Sequence, residues 1–511
     1  MALAGRMKRS VFLVHRWTGV LMCALMALWF ASGMVMLFAG YPKLTPAERL
    51  ANLPALRRDG CCIGPAAALA HARAPGAVQS LVLTSIRGRP FYVLVDGDGA
   101  VRAVDALDGA AAGPVGAVEA LAGARVFVPG AAAHYAGTVM EDRWTHARAF
   151  DAHRPLHVVD MDDAAATRLY LSSATGQVLL DAPRAQRLWN FAGAWLHWLY
   201  MLRNQPSDPA WTWTVIVLSA LGVVAAFTGI LNGIWRWRFK GRYKNGRKSP
   251  FREAVLHWHH VLGLAFGLLL FGWILSGLMS MNPLGIFDAR GRAPDAAAFA
   301  GGRPGQLRPD IGVAAALALL DADGFGAVEL EWRVLGGQPY LLARDGGNGT
   351  RLVAPNAAST QAGQGTAFRV LRRWPDATLL QAARRLLPAA VEGHDVLHAY
   401  DAYYYKRQVQ SMYGADDKRL PVLRVTYADE GRTWVHLDPF TGSVESGMDR
   451  SQRLGRWLFN FLHSWDLPAM LDAGWLREAV LVLLACGGLA LSATATVLGA
   501  RRLRMASKKA G

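Results

Sequence analysis

The sequence is poor in cysteine and in acid. Its 511 residues include four cysteines, Cys23, Cys61, Cys62 and Cys486, too few for a disulfide-built scaffold or for Cys-ligated iron–sulfur clusters. None falls in C-x-x-C or C-x-x-C-H, which excludes Cys₄ zinc sites and c-type haem attachment. There is no G-x-x-x-x-G-K-[ST] and no strand-coupled G-x-G-x-x-G, so no flavin or nicotinamide site is recognisable. Arg344-Asp-Gly-Gly-Asn-Gly349 reads as a loop between strands. Asp and Glu number 38 against 55 Lys and Arg, for a formal net charge of +17.

What the chain has in plenty is apolar surface: 52% of residues are hydrophobic, 18% are charged, and 18 are Trp. A soluble chain of this length divides into two to four domains, but four long uncharged runs place part of this one in lipid. They span Val11 to about Ala39, Trp211 to about Trp235, Val255 to Met281, and about Ala479 to Gly499, each near or above the ~20 residues a spanning helix needs. The first run is too long for a signal peptide and lacks a small-x-small cleavage site before Tyr41-Pro42, so it reads as a retained helix.

The basic residues set the orientation. Seventeen of them, with Glu253 as the one acid among them, precede or open the first helix, lie between the second and third, or follow the fourth, and carry +16 of the +17. Lys and Arg concentrated in short flanks mark the cytoplasmic side. Both termini and the 236–252 loop are therefore expected inside, with two large regions, about 40–184 and 282–476, outside. The basicity is a topology signal, and nucleic acid is not an expected partner.

The two halves repeat. His15-Arg-Trp-Thr-Gly19 recurs as His259-His-Val-Leu-Gly263, and Trp29, Ser32 and Gly33 recur as Trp273, Ser276 and Gly277, all at an offset of 244. Thr175-Gly176, Gln186-Arg187-Leu188, Leu196-His197 and Thr228 recur as Thr441-Gly442, Gln452-Arg453-Leu454, Leu462-His463 and Thr494, at an offset of 266. The expected fold is membrane α-helical: four transmembrane helices as two tandem parallel repeats, with two external α+β regions. The boundaries are 1–39 (tail and first helix), 40–184 (first external region), 185–240 (outer aromatic helix and second helix), 241–281 (loop and third helix), 282–450 (second external region) and 451–511 (outer aromatic helix, fourth helix and tail). Within the external regions, Pro65–Arg73 and Ile311–Asp321 read as helices. Gln79–Ile86, Phe91–Val95, Ala100–Val104, Arg154–Met161, Arg168–Leu171, Ala327–Val334, Tyr340–Arg344, Leu420–Tyr427 and Thr433–Leu437 read as strands of hairpins. Each region is expected to hold two small modules, a helix on a short antiparallel sheet.

Of 14 histidines, four stand at matched positions within or at the edge of the bundle: His15 with His259, and His197 with His463. Taken singly, each reads as an interfacial residue among belt aromatics. In pairs they read as a site, because ionisable groups at membrane depth are costly and two neutral imidazoles close a six-coordinate haem iron. A four-helix bundle is a suitable host. Two b haems are expected, one near each face. His257 and His260 lie on the same turn as His259 and compete with it as the inner ligand. Arg16, Arg187 and Arg453 are candidates for haem propionates or for lipid phosphate. His153 with His157 and His394 with His398, each i, i+4 on a possible helix, lack acidic or Cys partners and read as surface or core histidines. Cys61-Cys62 is open between a vicinal disulfide and two thiols. The Asp401-Ala-Tyr403-Tyr404-Tyr405-Lys406 run is open between sheet packing and a surface that stacks on a bulky ligand.

With these residues in place, the chain resembles the PepSY-associated transmembrane helix family of bacterial inner-membrane proteins. The matching pieces are His15-Arg-Trp-Thr-Gly19, Ser32-Gly33, Ser276-Gly277, Thr175-Gly176, Asp438-Pro-Phe-Thr-Gly442, Leu420-Pro-Val-Leu-Arg424 and Leu462-His463-Ser-Trp-Asp-Leu-Pro468. Members of that family include di-haem ferric-siderophore reductases. The resemblance implies PepSY-like external regions in the periplasm, an inner-membrane location, and electron delivery from quinol or a redox partner protein to a periplasmic ferric chelate. Reduction to Fe(II) loosens a chelate of anionic oxygens. The alternative it implies is a non-enzymatic anchor that presents PepSY modules to a periplasmic protein. A transporter is disfavoured, because the helices carry few polar groups beyond Thr228, Asn232 and Thr494.

Overall fold

The computed structural model describes residues 2–59, 61–72, 78–203, 208–303, 311–356, 367–406 and 418–510. Four long helices dominate it: α1 (Ala2–Met36), α2 (Pro209–Arg236), α3 (Ala254–Ser280) and α4 (Trp475–Ala510). Each contains a stretch long and apolar enough to cross a membrane. Two of them start before the apolar runs because the chain supplies caps. The Asp208 carboxylate accepts from the amides of Ala210 and Trp211 with Pro209 in the first turn, and Glu253 accepts from Val255 and Leu256. Both satisfy amides that a helix start leaves without partners. The fourth helix runs past Gly499 through its basic tail, where Arg and Lys are good helix formers and no Pro stops it.

α1 and α3 each pack against α2 and α4, so the four form a ring with α1 and α3 on one diagonal. Met22, Met26, Phe30, Ala225, Leu270 and Ile274 fill its interior. Close packing depends on small residues, as expected where lipid removes the hydrophobic drive between helices. A Cβ at Gly488 would stand 2.4 Å from the Phe30 ring, and one at Gly222 would stand 3.0 Å from Ile274.

All the sheets lie at one end of the bundle, among the segments joining α1 to α2 and α3 to α4. The first segment supplies β1 (Ser80–Ile86), β2 (Arg89–Val95), β3 (Val101–Asp105), β4 (Ala133–Val139), β5 (Leu156–Met161), β6 (Arg168–Ser172) and β7 (Val178–Ala182). The second supplies β8 (Ala327–Leu335), β9 (Gln338–Asp345), β10 (Thr350–Pro355), β11 (Phe368–Leu371), β12 (Val391–Leu397), β13 (Val422–Tyr427), β14 (Trp434–Asp438) and β15 (Ser443–Met448). Two four-stranded sheets, β4-β5-β6-β7 and β12-β13-β14-β15, share one topology, and each is accompanied by one helix, Ala117–Phe127 or Asp376–Ala383.

The remaining strands do not form separate modules, as the sequence had implied. They make one antiparallel sheet in the order β11-β10-β9-β8-β1-β2-β3. β1 meets β8 with Leu81 opposite Trp332, Val82 opposite Glu331 and Leu83 opposite Leu330. Two edges that would otherwise expose unpaired amides satisfy each other. The helices Pro65–His71 and Val313–Ala322 cover a core shared by both segments, including Leu81, Tyr92, Leu330 and Leu341; Arg73, the expected end of the first of these helices, lies outside the described residues. The join is braced by Glu329, 3% exposed, which accepts from Arg49 at 2.6 and 3.0 Å and from Arg344 at 3.1 Å.

The structure decides several readings left open by the sequence. His394 and His398 do not lie on a helix. His394 is in β12 and His398 follows it, both exposed, so i, i+4 spacing does not bring them together. His153 ends a short 3₁₀ turn and bonds Ser172 Oγ at 2.9 Å. His157 lies in β5, with Nδ1 on the Tyr135 hydroxyl and Nε2 on the Val115 carbonyl, both at 2.8 Å. Cys61 is bonded to Cys62, while Cys23 and Cys486 are free. Tyr404 and Tyr405 are buried and Tyr403 is partly exposed.

The fully buried His436 of β14 has its Nδ1 on Ser446 Oγ and its Nε2 accepting from Arg424, both at 2.8 Å. Burial, reinforced by the adjacent Arg424 charge, pushes its pKa down to about 3. Unfolded, it takes a proton near pH 6.5, so it contributes stability above that pH that is lost as pH falls toward 3. Urea unfolding should therefore show a less stable protein at pH 4.5 than at pH 7. His436→Gln should narrow that gap, and an unchanged gap would contradict the assignment.

Candidate functional site

At the bundle end away from the sheets, His15 of α1 faces α2 where Gly229 leaves room. A Cβ there would stand 2.7 Å from His15 Cε1. His15 Nδ1 lies 3.0 Å from the Ala225 carbonyl. Diagonally across, His259 of α3 turns Nδ1 to Thr494 Oγ1 of α4 at 3.1 Å. The two ring centroids are 6.3 Å apart, with planes inclined by 27°.

The second pair stands at the sheet end. Each sheet-bearing segment returns to the bundle through a short helix, Arg184–Asn190 or Arg450–Gly455, which widens into a π-helical turn, Phe191–Trp195 or Arg456–Phe461. The histidine follows, and the chain then reverses at Leu199 or Trp465 in the left-handed region, with φ 54° and 50°. His197 is tied to α1: its carbonyl accepts from Trp29 Nε1 at 2.9 Å, and its Nδ1 meets Ser32 Oγ at 3.1 Å. His463 meets α3 in the same way, Nδ1 to Ser276 Oγ at 3.0 Å. Gly33 and Gly277 lie beside the two rings. The centroids are 6.2 Å apart, with planes inclined by 68°. A cavity of ≈ 320 Å³ opens on both rings, walled by matched residues such as Trp29 with Trp273 and Gly33 with Gly277.

The hydrogen bonds fix the tautomers. Ser32 gives its only hydroxyl proton to the Leu28 carbonyl at 2.7 Å, Ser276 to Trp273 at 2.9 Å, and Thr494 to Leu491 at 2.7 Å. Each oxygen must then accept from the imidazole, as the Ala225 carbonyl must from His15. All four rings carry their proton on Nδ1, which leaves the Nε2 lone pair free. Among the described residues none of these Nε2 atoms has a hydrogen-bond partner, whereas His157, His260 and His436 use both nitrogens. Burial lowers the pKa of His197 to about 3 and of His463 to about 4, so both are neutral. Two neutral imidazoles with bare Nε2 atoms are a donor set that could hold a metal.

The neighbours sort themselves. His260 is committed to Ser249 Oγ at 2.8 Å and the Gly233 carbonyl at 2.9 Å, which ties the α2–α3 loop to the bundle. His257 packs on Trp258 and meets neither pair. His259 is thus the one of the three that faces His15. Arg187 and Arg453 are spent on backbone carbonyls, Ala166 for the first, and Arg432 and Met448 for the second. Arg16 lies over the Phe12 and Trp17 rings.

Sequence reasoning placed Ser32, Ser276 and Thr494 in the repeat without seeing that they orient the histidines. Their recurrence at the two offsets was the signal. The buried ion pair of Arg456 with Asp466, at 2.6 Å, was missed. Its counterparts in the first half, Asn190 and Tyr200, are uncharged, so no repeat points to it.

Residues 12–502 match the family described as PepSY-associated TM region. The chain belongs to that family. No curated protein matches the sequence. As a PepSY-associated TM protein with four apolar helices of spanning length, it is a multi-pass membrane protein.

The crowding at Gly229 makes a contrast. Gly229→Val must push the His15 ring off the Ala225 carbonyl and should cost about 1–3 kcal/mol. Gly33→Ala, whose Cβ would meet His197 at an ordinary 3.5 Å, should cost much less. Thermal unfolding in detergent reads both, and equal losses would contradict the packing described.

Proposed function

We propose that this PepSY-associated TM protein is a bacterial inner-membrane electron-transfer protein with two b haems, one between His15 and His259 and one between His197 and His463. The acceptor is a ferric siderophore on the periplasmic side, and the donor is quinol or a redox partner protein. The observation that carries the reading is four partly buried imidazoles, held as Nδ1–H tautomers with bare Nε2 atoms, meeting in two pairs with ring centroids 6.3 and 6.2 Å apart. Among the described residues no three His, Cys, Asp or Glu converge on a metal position, so two imidazoles per level call for a metal whose other ligands come from a macrocycle. Bound haem with two imidazole ligands changes oxidation state by one electron and keeps its ligands.

The chain's own part is positioning. Ser32, Ser276, Thr494 and the Ala225 carbonyl hold the rings against rotation, and Nδ1–H bonding to oxygen raises ligand basicity. Gly33 lies beside His197 and is 18 residues beyond His15, so the two levels are about 27 Å apart along α1. Met22, Met26 and Phe30 pack between them and keep water out. The matched offsets, the like-ordered sheets and the matched cavity walls support two tandem repeats about an axis along the membrane normal. The basic flanks support cytoplasmic termini and PepSY-like regions in the periplasm.

Protein purified from haem-replete cells should show a low-spin b-type spectrum and two haems per chain. A colourless preparation would favour the anchor reading. His197→Ala or His463→Ala should lower the ratio from two to one, and a ratio still at two would refute the sheet-end pair.

A further inference from the structure

Beside the β12–β15 sheet the second segment forms an open groove of ≈ 840 Å³. Trp434 forms its floor, with the Arg424 and Arg453 guanidiniums 4.8 and 4.4 Å from the ring centre. Tyr403 sets its edge against Trp434 at 5.1 Å and Trp457 at 6.2 Å, and its hydroxyl accepts from Trp457 Nε1 at 3.0 Å. At the rim Arg432 and Glu392 pair with each other at 2.8 Å. Arg450 is exposed and its side chain has no polar partner among the described residues. Arg453 spends hydrogen bonds on two carbonyls, which leave its charge in place. Asp429 and Asp449 lie behind. Asp429 accepts from Thr433, and Asp449 from the amides of Arg290, Gly291 and Gln452. The lining itself therefore carries two positive charges in excess.

The first half lines the same place with different residues. Phe191 and Trp195, equivalent to Trp457 and Phe461, are covered by Arg143 at 5.1 and 5.2 Å. Arg168 takes the position of Trp434 and is locked to Asp160 at 2.7 and 2.9 Å. The groove and the sheet-end histidines share one stretch of chain. Trp457 is six residues before His463, about 9 Å along the helix, and Phe459 of the same turn packs on the His463 ring at 5.6 Å.

We propose that this groove docks an anionic, aromatic ferric chelate of the catecholate or phenolate class beside the His197–His463 pair. The exposed Trp457 indole stacks on the ligand's rings, and Arg450 and Arg453 answer its charge. The inference rests on the electron-transfer reading and gives its acceptor a place and a class. The reaction served is one electron to each Fe(III), giving Fe(II), with no group transferred; where quinol is the donor, one quinol reduces two Fe(III) in turn and leaves as quinone, releasing two protons.

The test uses a redox-inert probe. Full-length protein in nanodiscs of zwitterionic lipid is titrated by calorimetry with gallium(III) tris-catecholate and with a neutral gallium(III) tris-hydroxamate. The catecholate should bind at least about tenfold more tightly. Arg450→Glu with Arg453→Glu should abolish that preference, and Trp434→Ala should weaken both probes, with circular dichroism confirming that the variants fold. Equal binding of the two probes, indifference to the Arg changes, or competition by phosphatidylglycerol added to the disc would overturn the proposal, the last by making a lipid headgroup the occupant. Binding of the gallium complex without reduction of its iron(III) counterpart by dithionite-reduced protein would keep the groove and refute the electron-transfer reading. Reduction without saturable binding would do the reverse.

Discussion

The structure turns on one constraint, which hydrogen each of the four paired imidazoles can keep. In a bundle interior a histidine must be neutral, and a neutral ring has one donor and one acceptor nitrogen. Here a carbonyl or a hydroxyl whose own proton is already given away takes the donor in all four cases. The acceptor nitrogens are left bare, four lone pairs on two pairs of neighbouring rings with no protein donor among the described residues. Haem iron is the partner proposed for them.

Each half of the bundle solves the same positioning problem with its own residues, and the differences lie around the pairs. Ser32 and Ser276 do one job on α1 and α3. The Ala225 carbonyl and the Thr494 hydroxyl do another on α2 and α4. Beyond that inner layer the likeness fades. Behind His463 stands the Arg456–Asp466 pair, while the corresponding places behind His197 hold Asn190 and an aromatic cluster of Tyr41, Tyr200 and Trp211. The seven-stranded sheet links the halves outside the bundle through three residue pairs of β1 and β8, with the buried Glu329 network bracing the join. One half carries the Trp434 groove, and the other sets Arg143 over Phe191 and pairs Arg168 with Asp160.

Much of this was legible in the sequence because it is periodic or duplicated. Spanning helices announce themselves by length and apolarity, and His15, His197, His259 and His463 stood out because each recurs at a fixed offset. Strands with strong alternation, such as β1 and β13, were readable. β4 and β12 were not, because they are sheet edges with largely exposed side chains and carry no clear apolar period. The β1–β8 join was hidden as well, since pairing between strands some 250 residues apart leaves no local trace. The choice among His257, His259 and His260 needed coordinates, as three residues on one turn differ only in the direction they face. The Arg456–Asp466 pair broke the repeat, and so nothing in the repeat could point to it.

The most direct measurement of the central claim is low-temperature electron paramagnetic resonance of the oxidised protein. If both pairs grip haem iron through Nε2, the spectrum holds two low-spin ferric signals of the bis-imidazole type and no high-spin ferric haem. A high-spin signal accounting for either haem, or the absence of any haem iron in protein from haem-replete cells, would contradict the account.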